Sequence, residues 1–362
     1  MKISFCGDVC PSLVNDIWKG GKTEELFHDV STAFQGVDRV IVNLECSLTE
    51  ADTPIQKVGP NMKASPLCAK ILKKLGVTDC AISNNHIFDF GVAGVRDTIR
   101  AIEEVGLGIT GFGENAQLAR KNLIVKKDGI SVAIINVCEH EYCYALSDRM
   151  GARGFDAFDT MEDIRQATQE HDYVVVLYHG GKEQSIYPSP RLRKQSQAMV
   201  KNGASMVLCQ HSHCIGCYEK YMGGHILYGQ GNFHFLGLNS EHPHWQSGLI
   251  VQAEIGKEFE IEFVPVQAVQ NGIQLANEKE AEKIMQAFEK QSMDLQTDAW
   301  EQGWKEFCEE NRTNYMGIIG NAYTENATAG HNEMFAHYLY CESHRDVWEE
   351  LCKLSWETRL EP

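Results

Sequence analysis

No stretch of this sequence is apolar over the length needed to cross a bilayer. The opening residues, MKISFCGDV, lack the basic segment, apolar run and small-residue cleavage site of an export signal. Clustered Lys and Arg are also missing. The net charge of −17 argues against a nucleic-acid partner, whose phosphates require a basic footprint. Paired CxxC zinc patterns, internal repeats and low-complexity segments are absent too. The thirteen cysteines are odd in number, and several, such as Cys6, Cys80, Cys138 and Cys209, fall in apolar strand-like runs. They read as buried thiols in a reducing compartment. These absences together give the expectation of a cytoplasmic protein with no transmembrane segment and no nucleic-acid partner.

What is present is an ordinary globular composition over 362 residues, enough for one large domain with an appendage or for two domains. ISFCGDV, DRVIVNLE, VTDCAISNN, SVAIINVCE, DYVVVLYH, ASMVLCQH and HILYGQGNF are short apolar runs rich in β-branched residues, the pattern of buried strands. Helical periods lie between several of them. One starts at Ser65-Pro66, places Leu67, Ile71, Leu72 and Leu75 on one face and stops at Gly76. Val92, Val95, Ile99 and Ile102 mark a second, ending at Gly106. Thr160 with Asp163 resembles a capping box for a third, and a fourth runs from about Arg191 to Asn202. Strand–helix alternation predicts a layered α/β domain over residues 1–266.

The texture changes beyond Val266. Glu278 to Gln296, Ala299 to Asn311 and Asn332 to Trp356 read as helices, and Asn314 to Gly330 as a long loop. From Glu278 to Pro362 there are 8 Lys and Arg against 18 Asp and Glu, a net of −10. Residues 275–362 are therefore expected to form an acidic helical appendage. Its apolar positions Ile284, Phe288, Trp300, Trp304, Phe307, Trp348, Leu351 and Trp356 must be covered, by the site mouth, by a second subunit or by each other. An oligomer formed through these helices is one way to cover them.

The polar residues sit at the ends of the strand runs. Asp8 closes the first, Asn43 and Glu45 the second, Asn84, Asn85 and His86 the third, His179 the fifth, and His211 with His213 the sixth. Ligands of open α/β sheets bind beyond the carboxyl ends of the strands, so five strands are expected to deliver these groups to one edge of one sheet. On an extended chain, alternate residues point the same way, which would turn both rings of His211-Ser212-His213 to one site. Imidazole with carboxylate suits divalent zinc, manganese or iron. A carboxylate such as Glu45 can bridge two cations roughly 3.5–4 Å apart. Taken singly each residue has a plainer reading: Asp8 as a turn or cap, Asn84-Asn85 as a turn, His86 as a surface histidine.

The pieces FCGDV, VNLECSLT, SNNHIFDFG, HGGKEQSIYPSPR, GASMVLCQHSHCIGCYE and ILYGQGNF, spread from Lys2 to Phe233, resemble the bacterial CapA family of capsule and poly-γ-glutamate synthesis, which has a calcineurin-like metallophosphatase fold. The resemblance implies a layered β-sheet core flanked by helices and two divalent metal ions. It implies Asp8 and His213 at metal 1, Asn85, His179 and His211 at metal 2, and Glu45 as the bridge. His86 would be the catalytic residue that stabilises the transition state or protonates the leaving group. Many metallophosphatases have Asp-x-His where this chain has Asp8-Val9-Cys10. That leaves Cys10 open between a thiolate ligand and a buried thiol. Gln210 stands where a Gly usually precedes the last HxH. Asn43, Asn84, Glu139, Glu141, Glu183, Arg191 and Asn232 are further candidates to face substrate. His234, His242, His244 and Trp245 are candidates for a rim.

Three functions follow from the resemblance. The first is a metal-dependent hydrolase-type enzyme acting on a capsule, poly-γ-glutamate or other peptide-like substrate, or on a small molecule. The second is a phosphoesterase, which the missing first-motif His disfavours. The third is a non-catalytic accessory protein of polymer synthesis that keeps a structural metal site. The near-complete ligand set favours an enzyme.

Overall fold

The computed structural model describes residues 1–20, 22–236, 242–270 and 272–360, the side chains of Leu13 and of residues 354–360 excepted. Two sheets form the core. The first contains β1 (Lys2–Val9), β2 (Arg39–Leu44), β3 (Asp79–Ala81) and β4 (Gly108–Thr110). The second contains β5 (Leu123–Lys127), β6 (Ile130–Cys138), β7 (Tyr173–His179), β8 (Met206–Gln210), β9 (Tyr218–Tyr221) and β10 (Gly224–Leu227). The chain then returns to the first sheet with β11 (Asn232–His234), β12 (Ser247–Ile255), β13 (Phe259–Val269) and β14 (Gly272–Leu275). The strand orders are β14-β13-β12-β1-β2-β3-β4, with β11 also on β1, and β9-β10-β8-β7-β6-β5. The central pairs β1–β2, β2–β3, β6–β7 and β7–β8 are parallel, so their carboxyl ends gather on one side.

Parallel strands buried on both faces read as continuous apolar runs, and the packing shows why. Ile3, Phe5 and Ile41 of the first sheet meet Ile134, Val175, Leu177 and Leu208 of the second in one inter-sheet cluster. The outer face of the first sheet is covered by α1 (Cys68–Leu75) and α2 (Gly91–Glu104), and that of the second by α3 (Ala157–Glu170) and α4 (Pro190–Lys201). This is the layered α/β core flanked by helices expected from the sequence. Gly7 is a place where only glycine fits: a Cβ there would lie 2.1 Å from the Gly231 carbonyl oxygen, because β11 pairs tightly against β1.

Among the described residues, five helices follow the last strand: α5 (Glu278–Asp294), α6 (Ala299–Glu310), α7 (Arg312–Ala322), α8 (Ala329–Tyr340) and α9 (Glu342–Leu360). Phe288 of α5 joins the inter-sheet cluster, and Trp300 of α6 joins the cluster on the second sheet. Trp304, Tyr315, Ile318, Val347, Trp348 and Leu351 form a separate core among α6, α7 and α9. Trp356 lies outside the described side chains. No helix among the described residues is long and apolar enough to cross a membrane.

Three sequence expectations are corrected here. The segment Asn314 to Gly330 is not one long loop: α7 runs through it to Ala322, because burial of Tyr315 and Ile318 outweighs the weak helix propensity of its Gly and Asn residues. The single helix expected from Asn332 to Trp356 is two, broken at Cys341. The cap of α3 is Asp156, which accepts from the Phe158 and Asp159 amides, so Thr160 lies inside the helix and caps nothing.

Candidate metal centre

The groups singled out at the strand ends do converge, but from two sheets and not from one edge of one sheet. The first sheet brings Asp8, Asn43, Glu45 and Asn85. The second brings His179, His211 and His213. Hydrogen bonds lock the sheets together at this point. The His211 amide donates to Asp8 Oδ2 (3.1 Å), and Gln210 Nε2 donates to the Cys6 carbonyl (3.3 Å) and to Gln230 Oε1 (3.1 Å). Gln210 thus fills its position with an inter-sheet tie.

The HxH pair is not extended. His211 and His213 have φ of 79° and 53°, and nearby Gln184 has 64°. Such conformations cost of order 1–3 kcal/mol each and persist only where surroundings fix them. Here the Gln184 amide donates to the Ser212 carbonyl (2.8 Å) and Asp8 holds the His211 amide. A left-handed turn, and not strand alternation, aims both rings inward.

Glu45 is the centre of the arrangement. It is fully buried, and neither carboxylate oxygen has a hydrogen-bond partner among the described residues. Around it, His179 Nε2 lies 3.4 Å and His213 Nε2 3.8 Å from Oε1. Two sets of donor atoms lie within 4.8 Å of one another and share this residue: Glu45 with His179 and His211, and Glu45 with Asp8 and His213. Asn85 Oδ1 is 2.9 Å from His179 Nε2, and its amide donates to Glu141 Oε2 (3.3 Å). A third set joins Glu183 to His211 and His213. Cys10 belongs to none of these sets. It packs in the apolar cluster with Cys46 and Cys68.

A buried carboxylate without donors is costly unless a cation meets it. Burial, reinforced by Asp8, pushes the Glu45 carboxyl well above its ordinary range. Burial would raise Asp8 as well, but its bond to His213 and the charges of His213 and His179 hold it below. Burial lowers His179 to about 4, and burial with the neighbouring His179 lowers His211 to about 3. Burial also opposes charge on His213, yet Glu45 and Asp8 outweigh it and lift the ring to about 9. The donor set is thus two acids and three imidazoles, two of them neutral, around an unsatisfied carboxylate. These residues fit divalent first-row cations.

The other candidates fall into place around this set. Asn43 donates from its one amide nitrogen to Asp8 Oδ1 (2.7 Å) and lies 3.0 Å from His179 Nδ1; Asn84 donates to Asn43 Oδ1 (3.1 Å) and to the Leu44 carbonyl (2.8 Å). Asn232 Oδ1 is 2.9 Å from His213 Nδ1. These amides orient the Asp8 carboxylate and the His179 and His213 rings. Arg191 is spent within the protein, on Asp346 (2.7 Å), Gln195 (2.8 Å) and Glu139 (2.7 Å), and Glu139 also accepts from the Tyr178 hydroxyl. Glu183 is exposed, with its carboxylate grouped with ring nitrogens of His211 and His213. Trp245 lies against the His213 ring, with centroids 4.3 Å apart. His234 is not on a rim: it is fully buried between Trp18 and Phe27. His242 and His244 pack on each other beyond it.

His86 carries a dyad that sequence reading missed. Its Nδ1 is 2.7 Å from Asp89 Oδ2, and Lys57, almost fully buried, is 2.5 Å from Asp89 Oδ1. Burial and Lys57 together bring His86 down to about 4 against the pull of Asp89. The FDFG segment displayed Asp89 three residues after His86; nothing local marked Lys57.

Residues 2–236 match the model of the family described as bacterial capsule synthesis protein PGA_cap. Among curated proteins, the chain is 29% identical over 245 residues to the capsule biosynthesis protein CapA of Bacillus anthracis, covering 65% of this chain and 60% of that protein. It is 28% identical over 245 residues to the PGA biosynthesis protein CapA of Bacillus subtilis (strain 168), covering 65% and 63%. It is 25% identical over 301 residues to a probable polyglutamine synthesis accessory protein of Mycobacterium tuberculosis (strain CDC 1551 / Oshkosh), covering 75% and 76%. The match thus spans about three-fifths of the two CapA proteins' own length.

Proposed function

The chain belongs to the bacterial capsule synthesis protein family PGA_cap, and from that premise we propose that it is a dinuclear metal-dependent hydrolase acting on a capsule, poly-γ-glutamate or other peptide-like substrate. The observation that carries this reading is Glu45, buried without a donor and common to two sets of metal-capable side chains. Asp8 and His213 would hold one ion, Asn85, His179 and His211 the other, and Glu45 both. Divalent ions held there supply Lewis-acid polarisation of the scissile group and an activated water.

The chain's own residues do the rest. Asp89 accepts the Nδ1 proton of His86, which leaves Nε2 bare in the resting site. His86 then takes a proton at Nε2 from the nucleophile and returns it to the leaving group. Lys57 neutralises Asp89, so the dyad is held without drawing the ring into its charged form. Asn43, Asn84 and Asn232 keep the ligand rings and carboxylates in register. Residues 1–266 would form the catalytic unit and residues 275–362 its helical wall.

The test is turnover by the full chain loaded with manganese, zinc or iron on matched amide and phosphoester panels. Amide turnover that is lost on chelation is the expected result. Phosphoester turnover alone would make the protein a phosphoesterase. Two bound ions with no turnover would favour the accessory role that the mycobacterial relative's description names.

A further inference from the structure

A cavity of about 650 Å³ opens between the core and α8, within the size range of small-molecule sites. Its inner end shares two residues with the candidate centre. Lys57 Nζ lies 3.2 Å from His86 Nδ1, and Glu141 accepts from the Asn85 amide. A substrate with its reacting bond at the centre would extend into this cavity.

The walls come from both parts of the molecule and are fixed across the junction. The Val58 amide donates to the Tyr142 hydroxyl (3.0 Å), and the Tyr142 ring stacks on His337 of α8 with centroids 5.4 Å apart. Gln56 Nε2 donates to Glu333 of α8 (2.7 Å), and the backbone and ring of His140 both bond Glu342 at 2.9 Å. The appendage therefore completes the cavity, and this part of the chain lies beyond the matched family segment.

The lining is mainly apolar: Val58, Tyr142, Tyr144, Leu146, Ala336 and Tyr340. Leu146 and Tyr340 are 47% and 70% exposed, an apolar lip that water covers when nothing else does. The charges point the same way. Lys57 is neutralised by Asp89, and His140 is engaged by Glu342. Among the described residues, Arg149, which donates to the Tyr144 carbonyl and lies over the Phe88 ring, has no acid at ion-pair distance. Against that cation stand Glu141, Glu333 and an appendage of net charge −10.

We propose that this cavity is the substrate subsite, that it takes one aromatic or branched apolar group with at most one carboxylate at Arg149, and that it rejects a run of glutamyl carboxylates. The inference rests on the hydrolase reading only for the placement of the reacting bond; binding tests it without turnover.

The experiment is calorimetric titration of the manganese-loaded full chain with N-acetyl-L-tyrosine, N-acetyl-L-glutamate and tetra-γ-glutamate. N-acetyl-L-tyrosine is expected to bind saturably and at least about tenfold more tightly than the other two, the discrimination an apolar pocket typically gives. Ala336→Trp, which fills the cavity from α8, should weaken that binding by a further factor of about ten or more. Leu146→Asp, at an exposed position where the fold is not at stake, should weaken it as well. A loss in either variant that melts like the parent supports the proposal. Unchanged binding in both, no saturable binding of the tyrosine probe, or tetra-γ-glutamate binding as tightly as the probe overturns it. Amide turnover with no tyrosine binding would remove the subsite and leave the hydrolase reading standing. Tyrosine binding with no turnover of any substrate would do the reverse.

Discussion

Two buried acidic regions of this molecule are built on opposite terms. At the centre, neither Glu45 oxygen has a hydrogen-bond partner among the described residues, with only ring nitrogens of His179 and His213 nearby, and Asp8 is held by Asn43 and the His211 amide. At the junction with the appendage, Glu139 and Asp346 close on Arg191 from both sides, and Ser189 also donates to Asp346. The acids of both regions are buried. Each acid of the junction meets a cation from within the fold, so the junction is architecture. The centre's charge is left open, so it calls for something from outside. The difference lies in which partners the fold supplies, and it separates a binding site from a clamp although the acids are a Glu and an Asp in each.

The comparison breaks most visibly at Glu45. Saturating manganese or zinc should stabilise the full chain by about 2.7 kcal/mol per site at a hundredfold excess over Kd, by mass action on the folded state. Glu45→Gln keeps the shape but removes the bridging charge, and it should abolish nearly all of that gain, read as the difference in melting temperature with and without chelator. A metal-dependent rise that survives the substitution would place the bridge elsewhere.

His86→Ala sharpens the same side. It should keep both ions and lose about 10²–10⁴-fold in turnover. Metal loss in this variant, by elemental analysis, would make His86 a ligand.

On the other side, Arg191→Met strands two buried acids. Breaking one member of a buried pair costs about 3–5 kcal/mol, and the loss should appear in the urea midpoint whether or not metal is present. A metal-dependent loss would mean that the junction belongs to the centre after all.

The smallest effect is in pH. Burial, only partly offset by an Arg191 that must also serve Glu139, raises Asp346 to about 6. The unfolded value is about 3.9. The folded chain therefore holds an extra proton between these values. The group's favourable contribution is full below about pH 4 and is lost as pH rises through 6. Asp346→Asn should flatten that part of the stability curve by about 2–3 kcal/mol. An unchanged slope in urea titrations at pH 4.5 and 7 would rule this out.

Much of this arrangement was legible in the sequence because strand ends are local signals. Asp8, Glu45, Asn85 and His179 each close or follow an apolar run, and a parallel strand puts such residues at one end. What the runs do not encode is which strands pair. The split of seven runs into two sheets depends on the return of β11 and β12 to β1, a contact of residues more than 200 positions apart. His211 and His213 read as a strand pair, yet Asp8, from the other sheet, holds the turn that aims them. Lys57 sits in an irregular segment and gains meaning only from Asp89 and His86. In α7 a Gly- and Asn-rich stretch folds as helix because Tyr315 and Ile318 have a core to enter, which propensity alone does not register.

The central claim is that the open charge around Glu45 is a seat for two cations. The most direct test is the metal content of the full chain after loading with manganese or zinc and removal of excess, beside the Glu45→Gln variant. About two ions per parent chain are expected, as in two-metal hydrolases, with neither site fully retained in the variant. A parent chain that binds none while melting cooperatively would contradict it.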